Sequence, residues 1–335
     1  MADNKSSIWK KVTGPSAGLV QQHYVKARES DLHRRNPDLE GKVKKLLEEH
    51  QSFAHLKLKG DKWLDIYRKI NKNIQAADLT INFSGESWFS TENNYETYTQ
   101  MYERSVDKDG KVKLINNMLN PADVRARVDD AVTFPEAWNK SAPAPTHRGL
   151  RPGAQSGQRI QTQMAFGEQK AISKDGRNVG VESLNSHFNP KTKQVFAALN
   201  YGRRPHGSST GYGQSHLVLH PRFKVNSFYY AGDTFFISTK DTTVQMPFGT
   251  LAAIMVHAKP SMVDAIIRSC YFGAALDDID MTGSFQLLLE AHLFSGLSFS
   301  NNISEVRLSA EHAGSEVHKN ASKFSAKHGA KLVLM

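Results

Sequence analysis

Between residues 194 and 308 the chain is a succession of short apolar runs: QVFAALNYG, QSHLVLHP, NSFYYAGDTFFIS, QLLLEAHLF and ISEVRLS. Gly, Pro, Asn and Asp cut these runs apart. Short runs rich in β-branched and aromatic side chains, bounded by turn formers, read as strands. Among them only PSMVDAIIRSCYFGAAL is a long helical candidate. The pattern predicts an α+β or mostly-β domain.

One of these runs carries a charge. If 285–294 is extended, Phe285, Leu287, Leu289, Ala291 and Leu293 share one face, and Gln286, Leu288, Glu290, His292 and Phe294 share the other. The first face is suited to a core. The second is half polar, and a carboxylate in an apolar run is costly to bury unless something pairs with it. Glu290 therefore reads either as a pocket-wall carboxylate or as a solvent-facing residue on a half-exposed strand.

The first part of the chain follows a different period. Residues 1–35 are polar and basic and read as irregular. Val43, Leu46, Leu47 and Phe53, and then Trp63, Ile66, Tyr67, Ile70 and Ile74, recur at helical spacing, which predicts two amphipathic helices with basic outer faces. After Ala77 the alternation of Leu79, Ile81 and Phe83 predicts a strand, and NPADVRARVDDAVTF a short helix. Residues 140–158, rich in Pro, Gly, Ser and Ala, read as a loop. These shifts divide the chain into a basic helical region (1–76), a main domain (77–310) and a polar tail (311–335), the tail expected to pack weakly.

Composition narrows the function classes. No apolar run approaches the ~20 residues of a membrane-spanning helix, and MADNKSSIWKKV lacks the apolar core of a cleavable secretory signal. A single cysteine, Cys270, excludes an intrachain disulfide and a Cys-based zinc site; its apolar setting predicts a buried thiol. The net charge of +10 suits either an acidic partner or a solvated basic surface. Fourteen histidines include His206, His216 and His220 close in sequence, but no His-Glu-x-x-His spacing occurs and no metal is expected. No Gly-x-Gly-x-x-Gly or phosphate-loop motif is present, nor a nucleophile elbow.

Four segments within residues 195–310 resemble the bacterial mono-ADP-ribosyltransferases, in particular the secreted effector-type enzymes: FAALNYGRRPHGS, GYGQSHLVLHP, FYYAGDTFFIST, and LLLEAHLFSGL with the following ISEVRL. The resemblance implies a pair of small antiparallel sheets enclosing an NAD cleft, preceded here by a helical segment. It implies cleavage of NAD between nicotinamide and ribose and transfer of ADP-ribose to a protein, with NAD as substrate. It further implies a secreted bacterial effector or toxin acting on a host protein in the host cytosol, or otherwise a cytoplasmic protein; the basic N-terminal region would contact that target or an acidic membrane surface.

On the same resemblance Glu290 is the catalytic carboxylate, stabilising an oxocarbenium-like ribose as nicotinamide leaves. Arg148 in THRGLR corresponds to an NAD-contacting Arg, with Arg151, Arg159 and the Arg203–Arg204 pair as alternatives. Ser238 and Thr239 in FFISTKD correspond to a Ser-Thr pair that braces the site; Ser90–Thr91 and Ser209–Thr210 compete for that role. Tyr212 and Phe236 are candidates to pack on nicotinamide. Arginine-modifying members carry Glu or Gln two residues before the catalytic Glu, where this chain has Leu288, which argues against that acceptor. His292 is a candidate base toward a hydroxyl acceptor, or a structural residue. The alternative reading is a non-catalytic protein whose basic surface holds nucleic acid or acidic lipid, although no nucleic-acid motif is present.

Overall fold

The computed structural model describes residues 32, 34, 36–58, 60–98, 104–106, 112–114, 195–225, 227–232, 246–276, 287–293, 297–300 and 302–335. The predicted helix over 120–134 and the 140–158 loop lie outside these residues.

Both N-terminal helices form where the apolar period places them. Leu39–Glu49 buries Leu39, Val43 and Leu47, one residue per turn. Lys62–Ala76 buries Trp63, Ile66, Tyr67, Ile70 and Ile74. Its last carbonyls, on Gln75 and Ala76, accept from the Lys224 ammonium at 3.1 and 3.4 Å, a cation where the helix dipole favours one.

Strands β1 (Leu79–Phe83), β4 (Val195–Leu199), β5 (Ser215–Leu219), β6 (Ser227–Ala231), β7 (Met246–Pro247), β8 (Leu289–Leu293), β9 (Ile303–Leu308) and β10 (Lys331–Leu334) join in one eight-stranded sheet, in the order β10-β9-β5-β1-β4-β8-β6-β7. β2 (Arg104–Val106) and β3 (Val112–Leu114) form a separate hairpin. All the pairings are antiparallel except β9 with β10. The α+β class is as expected. The expected pair of small sheets is not seen among the described residues: β1 pairs with both β4 and β5, so the strands on either side of it belong to one continuous sheet.

The sheet has two unlike faces. Leu79, Ile81 and Phe83 of β1, Val195, Ala197 and Leu199 of β4, Leu289, Ala291 and Leu293 of β8, and Val306 and Leu308 of β9 all enter one apolar core. That core also takes in Val43 and Leu47, Trp63 and Ile70, and the segment Leu251–Met255 of a 3₁₀ helix over Phe248–His257 that the apolar pattern did not reveal. The N-terminal helices therefore share one core with the sheet, where a separate basic module was expected. The helical candidate near residue 260 forms as Pro260–Ile266, continued by a π-helical turn, Ile267–Tyr271, that holds the buried Cys270.

The tail also departs from expectation. Ser315 caps a helix over Glu316–His328, accepting from the His318 N–H, and Gly329 closes it at φ 69°. Its Phe324 packs edge-on against Phe89 and Phe299, and β10 then adds to the sheet edge beside β9. A polar composition concealed this packing because one apolar ring per few turns is enough to dock a short helix. No helix among the described residues is long and apolar enough to cross a membrane.

Candidate functional site

The alternation that fills the core sends a second set of side chains to the opposite face. Cross-strand register aligns Thr80, Ala198, Glu290 and Tyr230 in one row. A neighbouring row runs Asn82, His216, Arg307, and His292 lies beside Phe196 and Phe228. With strands spaced about 4.8 Å apart, Glu290 and Thr80 stand roughly 10 Å from one another across β4.

Glu290 is 5% exposed and His292 is completely buried. They project from the same side of β8, and His292 Nε2 forms a short hydrogen bond with Glu290 Oε1. The ring of His292 is flanked by Phe196, edge-on at 4.9 Å between centroids, and by Tyr230 at 4.3 Å. This explains how a carboxylate is accommodated in an apolar run: an imidazole N–H two residues on supplies a partner, and two aromatic rings fix that imidazole. The same contact bears on the proposed base role. A ring with no exposed surface, engaged with Glu290, is placed to orient that carboxylate.

Asn82 organises the connection from β4 to β5. Its Nδ2 donates to the carbonyls of His206 (2.6 Å) and Gly213 (2.9 Å), and its Oδ1 accepts from the Ser209 N–H at 3.0 Å. Ser208 N–H donates to Thr80 Oγ1 and Ser208 Oγ to the Leu199 carbonyl. The segment GSSTGYG is thereby tied down on the polar face. Gly213, at φ 134°, passes so close to β1 that a Cβ would lie 2.1 Å from the Phe83 carbonyl oxygen, so only glycine fits. His216 lies under this segment, fully buried. Burial, and secondarily the charge of Arg307, pushes its pKa down to about 3.

The sequence-derived candidates fall into three groups. Glu290 and His292 are brought together. Tyr212 ends a short 3₁₀ turn over Thr210–Tyr212 and is 43% exposed. Arg148, Ser238, Thr239 and Phe236 lie outside the described residues, as do Arg151 and Arg159. Of the competing Ser-Thr pairs, Ser90 and Thr91 are exposed at the end of the Gly85–Phe89 helix, whereas Ser209 and Thr210 are buried in the tied-down segment. Leu288 is buried. Cys270 is buried as read, and burial raises its thiol to about 12. Of the histidines, His216 is enclosed and His220 is exposed beyond the strand.

Sequence reasoning missed Thr80, Asn82 and Arg307, and weighed His216 only as a metal ligand. Their signal was present in the strands already recognised: Thr80 and Asn82 alternate with Leu79, Ile81 and Phe83 in ADLTINF, and Glu305 and Arg307 with Val306 and Leu308 in ISEVRLS. Attention to the apolar half of each alternation left the polar half unread. The sequence matches no known family model and no curated protein.

Proposed function

We propose that the chain is a mono-ADP-ribosyltransferase that cleaves NAD and transfers ADP-ribose to a protein side chain. The observation that carries this reading is the buried Glu290–His292 pair on the polar sheet face, on the strand whose LLLEAHLFSGL wording resembles the catalytic strand of that family. The described strands form one continuous sheet, so the reading rests on this strand and its buried pair and not on the family's two-sheet arrangement.

In this reading the bond between nicotinamide nitrogen and ribose C1′ breaks first, and neutral nicotinamide departs with the electron pair. Positive charge develops at C1′. The Glu290 carboxylate accepts a hydrogen bond from the adjacent ribose hydroxyl and sets its negative charge beside that cation; its low-polarity surroundings strengthen the interaction. His292 holds the carboxylate in place. The acceptor side chain then attacks C1′ and gives up its proton to solvent or to a group on the acceptor itself.

The test is to incubate the full chain with NAD and cell lysate, following nicotinamide release and labelled ADP-ribose on protein. Wild type should do both, and Glu290→Gln should do neither while its thermal midpoint is kept. A folded wild-type protein that releases no nicotinamide with any lysate overturns the reading.

A further inference from the structure

The turn after β4 holds two consecutive arginines at the mouth of a cavity of about 390 Å³. Asn73, Asp78, Asn200, Arg203, Arg204 and Arg307 supply its polar lining. We propose that this cavity binds the anionic group of a phosphate-bearing small molecule, with Arg203 and Arg204 as its principal contacts.

The charge balance points there first. Arg307 is neutralised locally, its Nε donating to Glu305 at 2.7 Å and its Nη2 to Asp78 at 3.3 Å. No carboxylate among the described residues pairs with Arg203 or Arg204, yet Arg204 is only 9% exposed. The bulk of Arg204 is packed away from solvent, but none of its guanidinium nitrogens is both buried and unpartnered, so the group stays accessible from the cavity, where an anion can meet it. Three arginines against Asp78 and Glu305 leave the cavity with a net positive charge of one, on the side of Arg203 and Arg204, which suits a phosphate-bearing ligand. Planar guanidinium groups grip such oxygens in paired hydrogen bonds.

The turn is also built to hold this geometry. Asn200 clamps the Arg204 backbone from both sides, its Oδ1 accepting from the Arg204 N–H at 2.9 Å and its Nδ2 donating to the Arg204 carbonyl at 2.8 Å. Arg203 sits at φ 55°, in the left-handed region that a side-chain-bearing residue rarely adopts. Such strain persists where the surroundings enforce it and gathers at ligand sites. The cavity's size lies within the range of small-metabolite pockets. The proposal stands whether or not the chain is a transferase.

The experiment uses the full chain and pyrophosphate as probe, read by thermal shift and calorimetric titration against sodium chloride of matched ionic strength. Pyrophosphate should raise the midpoint beyond the chloride control. Arg204→Gln should weaken binding by about tenfold or more, the loss expected for one charge-assisted hydrogen bond. Arg203→Gly should do the same while folding at least as well as wild type, because glycine accepts the positive φ. Glu290→Gln, which leaves the lining intact, should bind pyrophosphate as wild type does. Displacement of pyrophosphate by NAD would identify the cavity with a dinucleotide's phosphates; retention would assign it to a separate ligand, and both outcomes support the anion site. A midpoint shift no larger than that of chloride, or unchanged affinity in the two arginine variants, overturns it.

Discussion

Glu290 and His292 stand two residues apart on β8, and the imidazole Nε2 of one meets the carboxylate Oε1 of the other beneath the rings of Phe196 and Tyr230. An extended strand turns alternate residues to the same side, so the i, i+2 spacing alone makes the contact available. Both side chains are buried.

The first prediction separates the two members of that pair. Replacement of Glu290 by Gln should lower nicotinamide release by at least about a hundredfold, the scale seen when one transition-state electrostatic contact is lost. His292→Gln, which can still offer an N–H to the carboxylate, should keep most of the rate, whereas His292→Ala should lose it together with about 2–4 kcal/mol of stability, through both the cavity and the unpaired carboxylate. Initial rates with NAD, alongside urea denaturation, check all three variants.

Asn82 ties three backbone groups of the β4–β5 connection to β1. Asn82→Ala should cost about 2–4 kcal/mol, since it leaves the buried Ser209 N–H and two part-buried carbonyls without their partner. Hydrogen exchange should show the loss concentrated in residues 206–213. A change of under about 0.5 kcal/mol with uniform exchange would contradict the assignment of this side chain as the organiser of the segment.

His216 predicts a pH dependence. Its folded pKa is about 3, held down mainly by burial, against an ordinary value of 6.5. Between those two values the unfolded chain takes up a proton that the folded chain does not, so stability is lost as pH falls from 6.5 toward 3 and is complete above 6.5. The contribution to the slope is at most about 1.4 kcal/mol per pH unit for one group. His216→Gln should flatten the wild-type curve between pH 6.5 and 4; parallel curves for the two proteins would refute the prediction.

Phe324 anchors the C-terminal helix against Phe89 and Phe299. Phe324→Ala should destabilise the whole protein by about 3–5 kcal/mol, as for other buried aromatic truncations. If the helix instead frayed alone, circular dichroism would show a small local loss with an unchanged global midpoint, and the tail would be peripheral after all.

Much of the architecture was legible because it depends on period. Trp63, Ile66, Tyr67, Ile70 and Ile74 could form only a helix stripe, and Leu289, Ala291 and Leu293 only one face of a strand. Glu290 was legible for the same reason: a lone carboxylate among leucines is conspicuous. The packing of the tail was not legible, because the contribution of Phe324 depends on which rings meet it. The Asn82 anchor was not legible either. An Asn in a strand has many uses, and its partners lie more than a hundred residues away at His206, Ser209 and Gly213.

The order of residues along the chain determined the elements and the two-faced character of each strand, since local sterics and alternation act over a few neighbours. Which strands became neighbours, and hence that Glu290 shares a face with Thr80 and that Arg307 reaches the cavity beside Arg203 and Arg204, was decided only by the tertiary fold. Pairing between distant segments is settled by burial and hydrogen bonding summed over the whole sheet, a quantity no short stretch of sequence contains.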